Sequence, residues 1–508
     1  MRISANTLAV IIALVAVIGY LSVTLNSPIV FGDEGWYAGV ARYMVETGVF
    51  PNYDPLHETA IYHLPLSKQP LWFFQDAWAF AIGGETGIKI LMTLMPVLSG
   101  LVLYLLVRRT LGTGTALASE LILVSLPGVA SYGGVLNYVV GSLMLWFTVA
   151  AYFGVLAFES GKKQHIAMTG VAAGFALLTD TSGLLVIPFL VLLWFLTARP
   201  RWKELLIICV IAAALYSPAV LRTFVLCGNF SISGVYGSGC LPVVDVTIPS
   251  LGLAPPQAEA SSSSAVSVIK TGLVAYSDFA FGLVATILAI LGLGFVRKNK
   301  AWAVFIPLVL MLVAVMFYMN GRAEDVPRNT LFGFPGIAVL GGTFVAGVYN
   351  FLKTKGTWLA VIFAILIISG IGFYAVQKLD VMLSVKHNLD GLVTGCQWIK
   401  ANTPADSIIY GIYGHQIAYQ SERKVFSGGL PDQSDIRDTH NDTSYEHLKL
   451  HGFDYIVIEK FTVSNQGTSA EITPVQFVSY LDGSTHFKKV YDGTVTFGTS
   501  GITVYKIL

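Results

Sequence analysis

The sequence predicts a polytopic α-helical membrane protein with a soluble α/β domain at its C-terminal end. Of the 508 residues, 54% are hydrophobic and 12% are charged, which is about half the charged fraction of an ordinary soluble protein. Runs of about 20 apolar residues recur through the first three quarters of the chain, and each is long enough to cross the membrane as a helix. After about residue 380 the apolar runs shorten to strand length. The net charge of +1 gives no general attraction for nucleic acid.

Apolar runs separated by charged or Gly/Pro-rich breaks predict about eleven transmembrane helices. We expect them near 7–25, 88–107, 113–131, 134–158, 166–179, 183–198, 204–222, 272–296, 301–319, 331–351 and 357–375. The first run is long for a signal peptide and lacks a small-residue cleavage site, so we interpret it as a retained helix. The 166–198 segment around Asp180 fits two helices, a re-entrant hairpin or one long helix. This choice decides on which side of the membrane each later helix begins.

The distribution of Lys and Arg predicts the orientation in the membrane. With the 166–198 segment counted as two helices, five basic clusters fall on one side, which the positive-inside rule makes cytoplasmic. The clusters are Arg108-Arg109, Lys162-Lys163, Arg199 to Lys203, Arg297-Lys298-Lys300 and Lys353-Lys355. We therefore predict a multi-pass plasma-membrane protein with a cytoplasmic N-terminus.

The same orientation divides the chain into a membrane domain, 1–378, and an extracytoplasmic soluble domain, 379–508. The loops 26–87 and 223–271 are then also external. Cys227 and Cys240 are the only two of the four cysteines in an external loop, and an extracytoplasmic compartment permits a disulfide between them. Two free thiols are the alternative.

The soluble domain contains both strand and helix patterns. SIIYGI, DYIVIE and TVYKI are predicted strands, with helices near 390–401 and 443–451 and antiparallel strands from Phe487 to Ile507. His447 and His451 could share a metal ion, but without a third ligand we interpret them as surface histidines. No cofactor motif is present; a divalent metal is compatible with the sequence, although no ligand set supports one.

The external loop 26–87 is the candidate functional region, because it is much longer than an ordinary helix connection. It begins with the adjacent acids Asp33 and Glu34. Acids this close to hydrocarbon usually mark a functional site or a capped helix end. Lys68 follows in the same loop.

The segment that starts at Glu34 is amphipathic. We predict that residues 34–45 form a helix along the membrane surface, with Trp36, Val40 and Tyr43 or Met44 available to the interface. Asp33 would then be its N-cap and Glu34 would favour its dipole, an alternative that needs no catalysis.

The motifs of this loop resemble a known family. DEGWYAGVARYMVETGVFPNYDP is followed by KQPL, by AIGG and by a helix ending in RR. Together they resemble the C-type membrane glycosyltransferases (GT-C). More narrowly, they resemble the branch of the dolichyl-phosphate-mannose protein mannosyltransferases and the lipid A aminoarabinose transferases. The resemblance covers roughly the first 200 residues and a further short segment, VPRNTLFGFPGIAVL, residues 326–340.

The resemblance implies the GT-C fold and an inverting transfer of a sugar. The donor would be a dolichyl- or undecaprenyl-phosphate sugar, and the acceptor a protein, a lipid or a lipid-linked glycan on the external face. The family's first-loop acid corresponds to Asp33, with Glu34 beside it, and its first-loop lysine to Lys68. Its late arginine maps onto Arg328, with Arg322 as the alternative.

These implied roles agree with the chemistry. An inverting transfer needs a base on the face opposite the leaving group, for which Asp33 is the choice. Fixed cations stabilise the charge that develops on the departing phosphate, which Lys68 and one of the two arginines would do.

Several positions depart from the family pattern. The usual Lys-Pro-Pro is Lys68-Gln69-Pro70, and the Arg-Tyr element is Arg328-Asn329. Asn137-Tyr138 stands where many relatives carry an acid, and Asp180 stands where they carry a lysine. Contacts with the donor or acceptor are expected from Tyr37, Arg42, Asn137, Tyr138 and Asp180. For Asp180, a turn residue that caps the next helix is an equally good interpretation.

A secondary transporter, or another polytopic protein with an external binding domain, is the alternative from a different class. Transporters usually carry ionisable groups at mid-membrane in repeated halves. Here the charges lie at helix ends and no inverted repeat is visible. An oligosaccharyltransferase is a closer rival, but the C-terminal domain lacks the Trp-Trp-Asp signature of that family.

Overall fold

The computed structural model describes most of the membrane domain and most of the soluble domain. The described residues are 4–30, 32–56, 62–63, 66, 69–196, 202–227, 243–244, 282–295, 305, 330–427, 436–438, 442–464, 473–493 and 501–508. The predicted helices near 272–296 and 301–319 lie largely outside these residues.

The membrane part is mainly helical, and Tyr62–His63 of the first loop pairs antiparallel with Val243–Val244. Its helices are α1 (Ala5–Thr24), α2 (Glu34–Thr47), α3 (Pro70–Thr110), α4 (Thr113–Ser125), α5 (Val140–Ser160), α6 (Lys163–Thr179), α7 (Val186–Leu196), α8 (Trp202–Cys227), α9 (Gly282–Leu293), α10 (Phe334–Lys355) and α11 (Thr357–His387). Among the described residues, six helices are long and apolar enough to cross a membrane, or seven if α4 and the π-helical turn Val129–Val135, bent by 72°, form one span. This confirms the polytopic helical fold class, while the predicted number of eleven spans stays a prediction.

Helix α3 begins eighteen residues before its predicted start. Pro70 occupies its first turn, where the missing amide hydrogen costs no hydrogen bond. Glu85 and Lys89 are charged residues that interrupt the apolar run, but they lie one helical turn apart and form an ion pair at 2.8 Å. Gly84, with φ +58°, kinks the helix and separates a short first part from the long span.

The membrane-facing helix of the first loop is the first part of α3 rather than α2. Phe74, Trp78 and Ile82, four residues apart, are all more than half exposed and form one apolar stripe, which is typical of a helix against lipid. In α2, by contrast, Trp36 and Val40 are buried within the protein. The prediction that these two side chains face the membrane interface is therefore wrong.

The 166–198 segment contains two helices. Helix α6 ends at Thr179, Asp180 is extended with φ −155° and ψ 159°, and a short 3-10 turn (Thr181–Leu185) leads into α7. Because an extended residue cannot continue a helix, one long helix is excluded. The choice between two spans and a re-entrant hairpin, which decides the orientation of all later helices, stays a prediction.

The C-terminal part forms an α/β domain, as the sequence predicts. Its helices are α12 (Asp390–Asn402), α13 (Gly414–Ser421), α14 (Asp442–Leu450) and α15 (Val475–Gly483). The main sheet consists of β1 (Ile408–Gly411), β2 (Lys424–Phe426), β3 (Tyr455–Glu459), β4 (Phe487–Asp492) and β5 (Ile502–Ile507). The order across the sheet is β2-β1-β3-β5-β4. The first three strands are parallel, and the last two pair antiparallel over the predicted Phe487–Ile507 region.

The soluble domain packs directly on the first loop through α13. The Gln416 side chain donates to the Gly32 carbonyl at 2.5 Å, and Gln420 donates to the Ile29 carbonyl at 2.9 Å. A Cβ on Gly35 would lie 2.8 Å from the His415 carbonyl oxygen, so glycine permits this close approach. The first loop and the soluble domain therefore share one side of the molecule.

Candidate functional site

Asp33 lies half-buried at the start of α2. Its backbone amide lies 3.4 Å from the Tyr138 hydroxyl. Its backbone carbonyl accepts hydrogen bonds from the amides of Trp36 and Tyr37, but its side chain makes no capping hydrogen bond to α2. Capping by this carboxylate therefore does not explain why an acid stands here.

Gly32 brings the Tyr138 side chain to Asp33. Its φ of +52° lies in the left-handed region, which other residues rarely adopt. A Cβ at this position would also overlap the Tyr138 hydroxyl. Both features favour glycine, which lets the Tyr138 hydroxyl approach the Gly32-Asp33 backbone.

Aromatic rings fix the orientation of Tyr138. Its ring meets that of Tyr37 edge to face at 6.4 Å and that of Tyr132 at 5.8 Å. Tyr37 and Tyr138 are both buried. The structure therefore brings together Asp33, Tyr37 and Tyr138, three of the predicted site residues.

Glu34 points away from the surface into a fully buried contact. Its Oε1 accepts from the Lys386 Nζ at 3.0 Å and from the Asn137 amide at 2.9 Å, while its Oε2 accepts from the Val30 amide at 3.2 Å. Lys386 also donates to the Val135 carbonyl at 3.3 Å. Both charged side chains have no exposed area.

Lys386 reaches Glu34 because α11 continues past the predicted domain boundary at residue 378 and ends only at His387. The sequence analysis missed Lys386, since it lies 352 residues from Glu34 and no local pattern joins the two. It also missed Asp76, a fully buried acid in α3 whose Oδ2 accepts from the Asn137 side chain at 2.9 Å. An acid inside an apolar helix is itself a signal of a special environment, and it could have been found.

Three of the predicted cations, Lys68, Arg322 and Arg328, lie outside the described residues, and so does Cys240. The described residues nearest to Lys68 in sequence are Leu66 and Gln69, and both are buried. Gln69 donates to the Tyr216 hydroxyl at 3.0 Å. This loop segment is thus anchored to α8 on the C-terminal side of the lysine.

Asp180 and Arg42 have well-defined structural contacts. The Asp180 carboxylate accepts from the Ser182 amide at 2.8 Å and so caps the 3-10 turn that follows, as the second interpretation of this residue predicted. Arg42 pairs with Glu422 at 3.0 Å and donates to the Tyr419 carbonyl at 2.9 Å, which ties α2 to the soluble domain.

An apolar groove of about 720 Å³ runs between α1, α4, α10 and α11. It extends from Leu8 and Phe363, near the starts of α1 and α11, to Tyr20 and Leu379, near their ends. The Tyr20 ring packs against Gly134, next to the residue whose carbonyl binds Lys386. One end of the groove therefore lies close to the Glu34 contact. Within the described part of the chain, no group of three or more His, Cys, Asp or Glu could hold a metal ion.

Comparisons with known proteins agree on one fold. Residues 68–221 match the family model of dolichyl-phosphate-mannose-protein mannosyltransferases. The fold is similar to that of ArnT from Cupriavidus metallidurans in the apo state, with a TM-score of 0.65, 14% identity and 97% coverage of each chain. The undecaprenyl phosphate complex of that protein gives 0.63, 14% identity and coverage of 99% of this chain and 98% of that one.

A similar fold is found in the oligosaccharyltransferase AglB from Archaeoglobus fulgidus, with a TM-score of 0.63, 14% identity and coverage of 89% of this chain and 69% of that one. No curated protein matches the sequence at a significant level. At these identities the structural likeness shows the fold, and that fold is the one implied by the sequence motifs.

Proposed function

We propose, from its similarity to the dolichyl-phosphate-mannose protein mannosyltransferases and to ArnT, that this chain is an inverting glycosyltransferase with a polyprenyl-phosphate sugar as donor. The acceptor would be a protein, a lipid or a lipid-linked glycan on the external membrane face. The observation that carries the proposal is the setting of Asp33. This half-buried acid begins α2, its backbone amide donates to the Tyr138 hydroxyl, and it lies on the side of the molecule that the soluble domain covers.

The relatives support a lipid-linked donor. ArnT has been solved with undecaprenyl phosphate, and the archaeal oligosaccharyltransferase with dolichol phosphate and an inhibitory peptide. In this chain, the groove between α1, α4, α10 and α11 is lined mainly by apolar side chains and ends near the first loop. A polyprenyl chain bound between helices would bury its apolar surface at little cost, since the surrounding lipid is equally apolar.

In the proposed reaction, Asp33 acts as the general base. It takes the proton of the acceptor hydroxyl or amide group as that group attacks the anomeric carbon, and the bond from this carbon to the phosphate oxygen breaks with its electron pair leaving on the phosphate. Attack from the opposite face inverts the anomeric configuration. A positioned base contributes about 10² to 10⁴ in rate.

Cations complete the proposed mechanism at the leaving group. Lys68 and either Arg328 or Arg322 would stabilise the charge that develops on the phosphate. Tyr138, whose hydroxyl lies within 3.4 Å of the Asp33 amide, would help to orient the groups around the base. Catalysis by Glu34, which the resemblance implies beside Asp33, is less well supported, because protein donors already engage both of its carboxylate oxygens.

The test is a transfer assay with purified protein and a panel of dolichyl- and undecaprenyl-phosphate sugars, with membrane extracts as acceptors. We expect Asp33→Asn to lower transfer by at least 10² because it removes the base. Asp442→Asn, at the first residue of α14 on the same side of the membrane, is the matched control and should retain activity. Full activity in Asp33→Asn would rule out the proposed base.

A second variant addresses the leaving group. Lys68→Ala should weaken the use of the donor most, seen as a higher KM for the polyprenyl-phosphate sugar together with a lower kcat. Unchanged donor kinetics would assign the phosphate contact to other residues. Transfer with none of the panel sugars would contradict the proposed function as a whole.

A further inference from the structure

We propose that Glu34 and Lys386 act as a pair of positioning residues, which hold Asp33 in place from the end of the last membrane helix. This inference rests on the proposed function of Asp33. It assigns to Glu34 no proton transfer and no contact with substrate.

The geometry joins three distant segments at one carboxylate. Lys386 is the last residue but one of α11, Asn137 follows the π-helical turn, and Val30 precedes the turn into α2. All three donate to Glu34. Asp33 is the residue directly before Glu34 in the chain. Fixing the Glu34 side chain therefore fixes the first turn of α2 and, with it, the position of Asp33 relative to Tyr138.

The chemistry of the contact explains why a glutamate is needed. Three donors meet two carboxylate oxygens, and a carboxylate is a pure acceptor. A glutamine in the same place would offer one acceptor oxygen, and its amide group would face a second donor. A neutral isostere therefore cannot reproduce the contact.

The pair also connects the soluble domain with the site. Lys386 lies four residues before α12, the first helix of the soluble domain. Helix α13 of that domain meets Gly32 and Ile29 from the other side of the loop. Asp33 is thus held between two contacts that both depend on the placement of the soluble domain. Movement of this domain would therefore be transmitted to the site.

The activity test compares Glu34→Gln, Lys386→Met and the double variant, using the panel sugar that the wild-type chain transfers. Misplacement by about 1 Å can cost about 10² in rate, so each single variant should lower kcat about 10- to 100-fold with little change in the donor KM. The double variant should fall no further than the worse single variant, because both act through one contact. It also contains no unpaired buried charge, so it tests the proposal even if a single variant does not fold.

Hydrogen exchange of the full-length protein gives a readout that needs no substrate. Amides in residues 30–38 should exchange at least tenfold faster in Lys386→Met than in the wild type, because the first turn of α2 loses its anchor. Lys378→Met is the matched control: it removes a lysine two turns earlier on α11, packed over the Tyr374 ring, and should leave this exchange unchanged.

The outcomes are separable. If Glu34→Gln is as inactive as Asp33→Asn while Lys386→Met keeps the wild-type kcat, Glu34 itself reacts and the positioning role is wrong. Wild-type exchange in residues 30–38 of both Lys386→Met and the double variant would also overturn it. If the wild-type chain transfers no sugar, the proposed function fails, and the exchange experiment still decides whether the pair anchors the loop.

Discussion

Two fully buried glutamates, one in each domain, have opposite surroundings. Glu34 in the first loop receives an ammonium group and two backbone amides. Glu459, at the end of β3 in the soluble domain, receives the Tyr413 amide at 2.9 Å, and its Oε2 has no hydrogen-bond partner among the described residues. The same residue type thus joins several segments in the first loop but has one carboxylate oxygen without a hydrogen bond in the soluble domain.

The difference shows in how each carboxyl group is accommodated. Burial raises the pKa of Glu459 to about 7, and the hydrogen bond from the Tyr413 amide and the charge of Arg437 offset this only in part. A proton can therefore take the place of the missing cation near neutral pH. At Glu34 the ammonium group of Lys386 supplies the positive charge. The Glu34 contact joins three distant segments through a buried ion pair, which is why we attach a functional role to it.

The largest effect that separates the two regions is expected from removal of the Lys386 charge. Lys386→Met leaves Glu34 buried without its counter-ion, which typically costs about 3–5 kcal/mol. Glu459→Gln removes an acid that has no counter-ion in contact and should cost far less at pH 8. The melting midpoint of the purified protein, followed by tryptophan fluorescence, measures both variants.

Addition of Glu34→Gln to Lys386→Met provides the control for this prediction. Because no lone buried charge remains, much of the lost stability should return. If Lys386→Met melted like the wild type, the buried ion pair would contribute nothing to the fold, and the contrast between the two glutamates would disappear.

A second effect concerns pH and belongs to Glu459. Its pKa is higher in the folded state, about 7, than its ordinary value of 4.5, so between these values the folded state binds more protons than the unfolded state. Stability from this group is therefore greatest at low pH and falls as the pH rises to about 7, by roughly 3 kcal/mol at about 1.4 kcal/mol per pH unit. The stability of Glu459→Gln relative to the wild type should thus be higher at pH 8 than at pH 5.

Glu422 supplies a control of opposite sign. Burial alone would raise its pKa, but Lys400 and Arg42 outweigh this and lower it. Its contribution is therefore present at neutral pH and is lost as the pH falls through its pKa.

A stability difference between Glu459→Gln and the wild type that is equal at pH 5 and pH 8 would show that Glu459 does not titrate as described.

Local sequence patterns predicted the membrane helices and the strands of the soluble domain well, because the length and periodicity of apolar runs are local properties. They also pointed to Asp33 and Glu34, and the family resemblance pointed to Tyr138 and Asn137, which contact the Asp33 amide and the Glu34 carboxylate in the structure. The pattern around Trp36 was misinterpreted for a physical reason: amphipathicity shows that one face is apolar, but not whether that face meets lipid or protein. In α2 it meets protein.

The Glu34–Lys386 pair could not be predicted in the same way. The last apolar run ends near residue 375, so Lys386 looks like the start of a soluble domain. The continued helix, which carries the lysine back to the first loop, becomes visible only in three dimensions. Long-range pairing of single charges leaves no periodic trace in a sequence.

The smallest effect is expected for charges at the rim of the interface between the two domains, where Glu422 has two partners. Arg42 reaches it from α2 at 3.0 Å and is mostly buried, whereas Lys400 reaches it from within the soluble domain at 2.7 Å and is half exposed. Solvent screens exposed pairs, so Lys400→Ala should cost about 0.5 kcal/mol or less.

Arg42→Ala should cost more, about 1–2 kcal/mol, because it also loses the hydrogen bond to the Tyr419 carbonyl and the stacking over the Tyr419 ring at 4.8 Å. Only Arg42 crosses between the domains, so hydrogen exchange in α13 should rise in Arg42→Ala and not in Lys400→Ala. Equal exchange in both variants would mean that the soluble domain is held on the first loop by the Gln416 and Gln420 contacts and by Lys386, without help from surface charge.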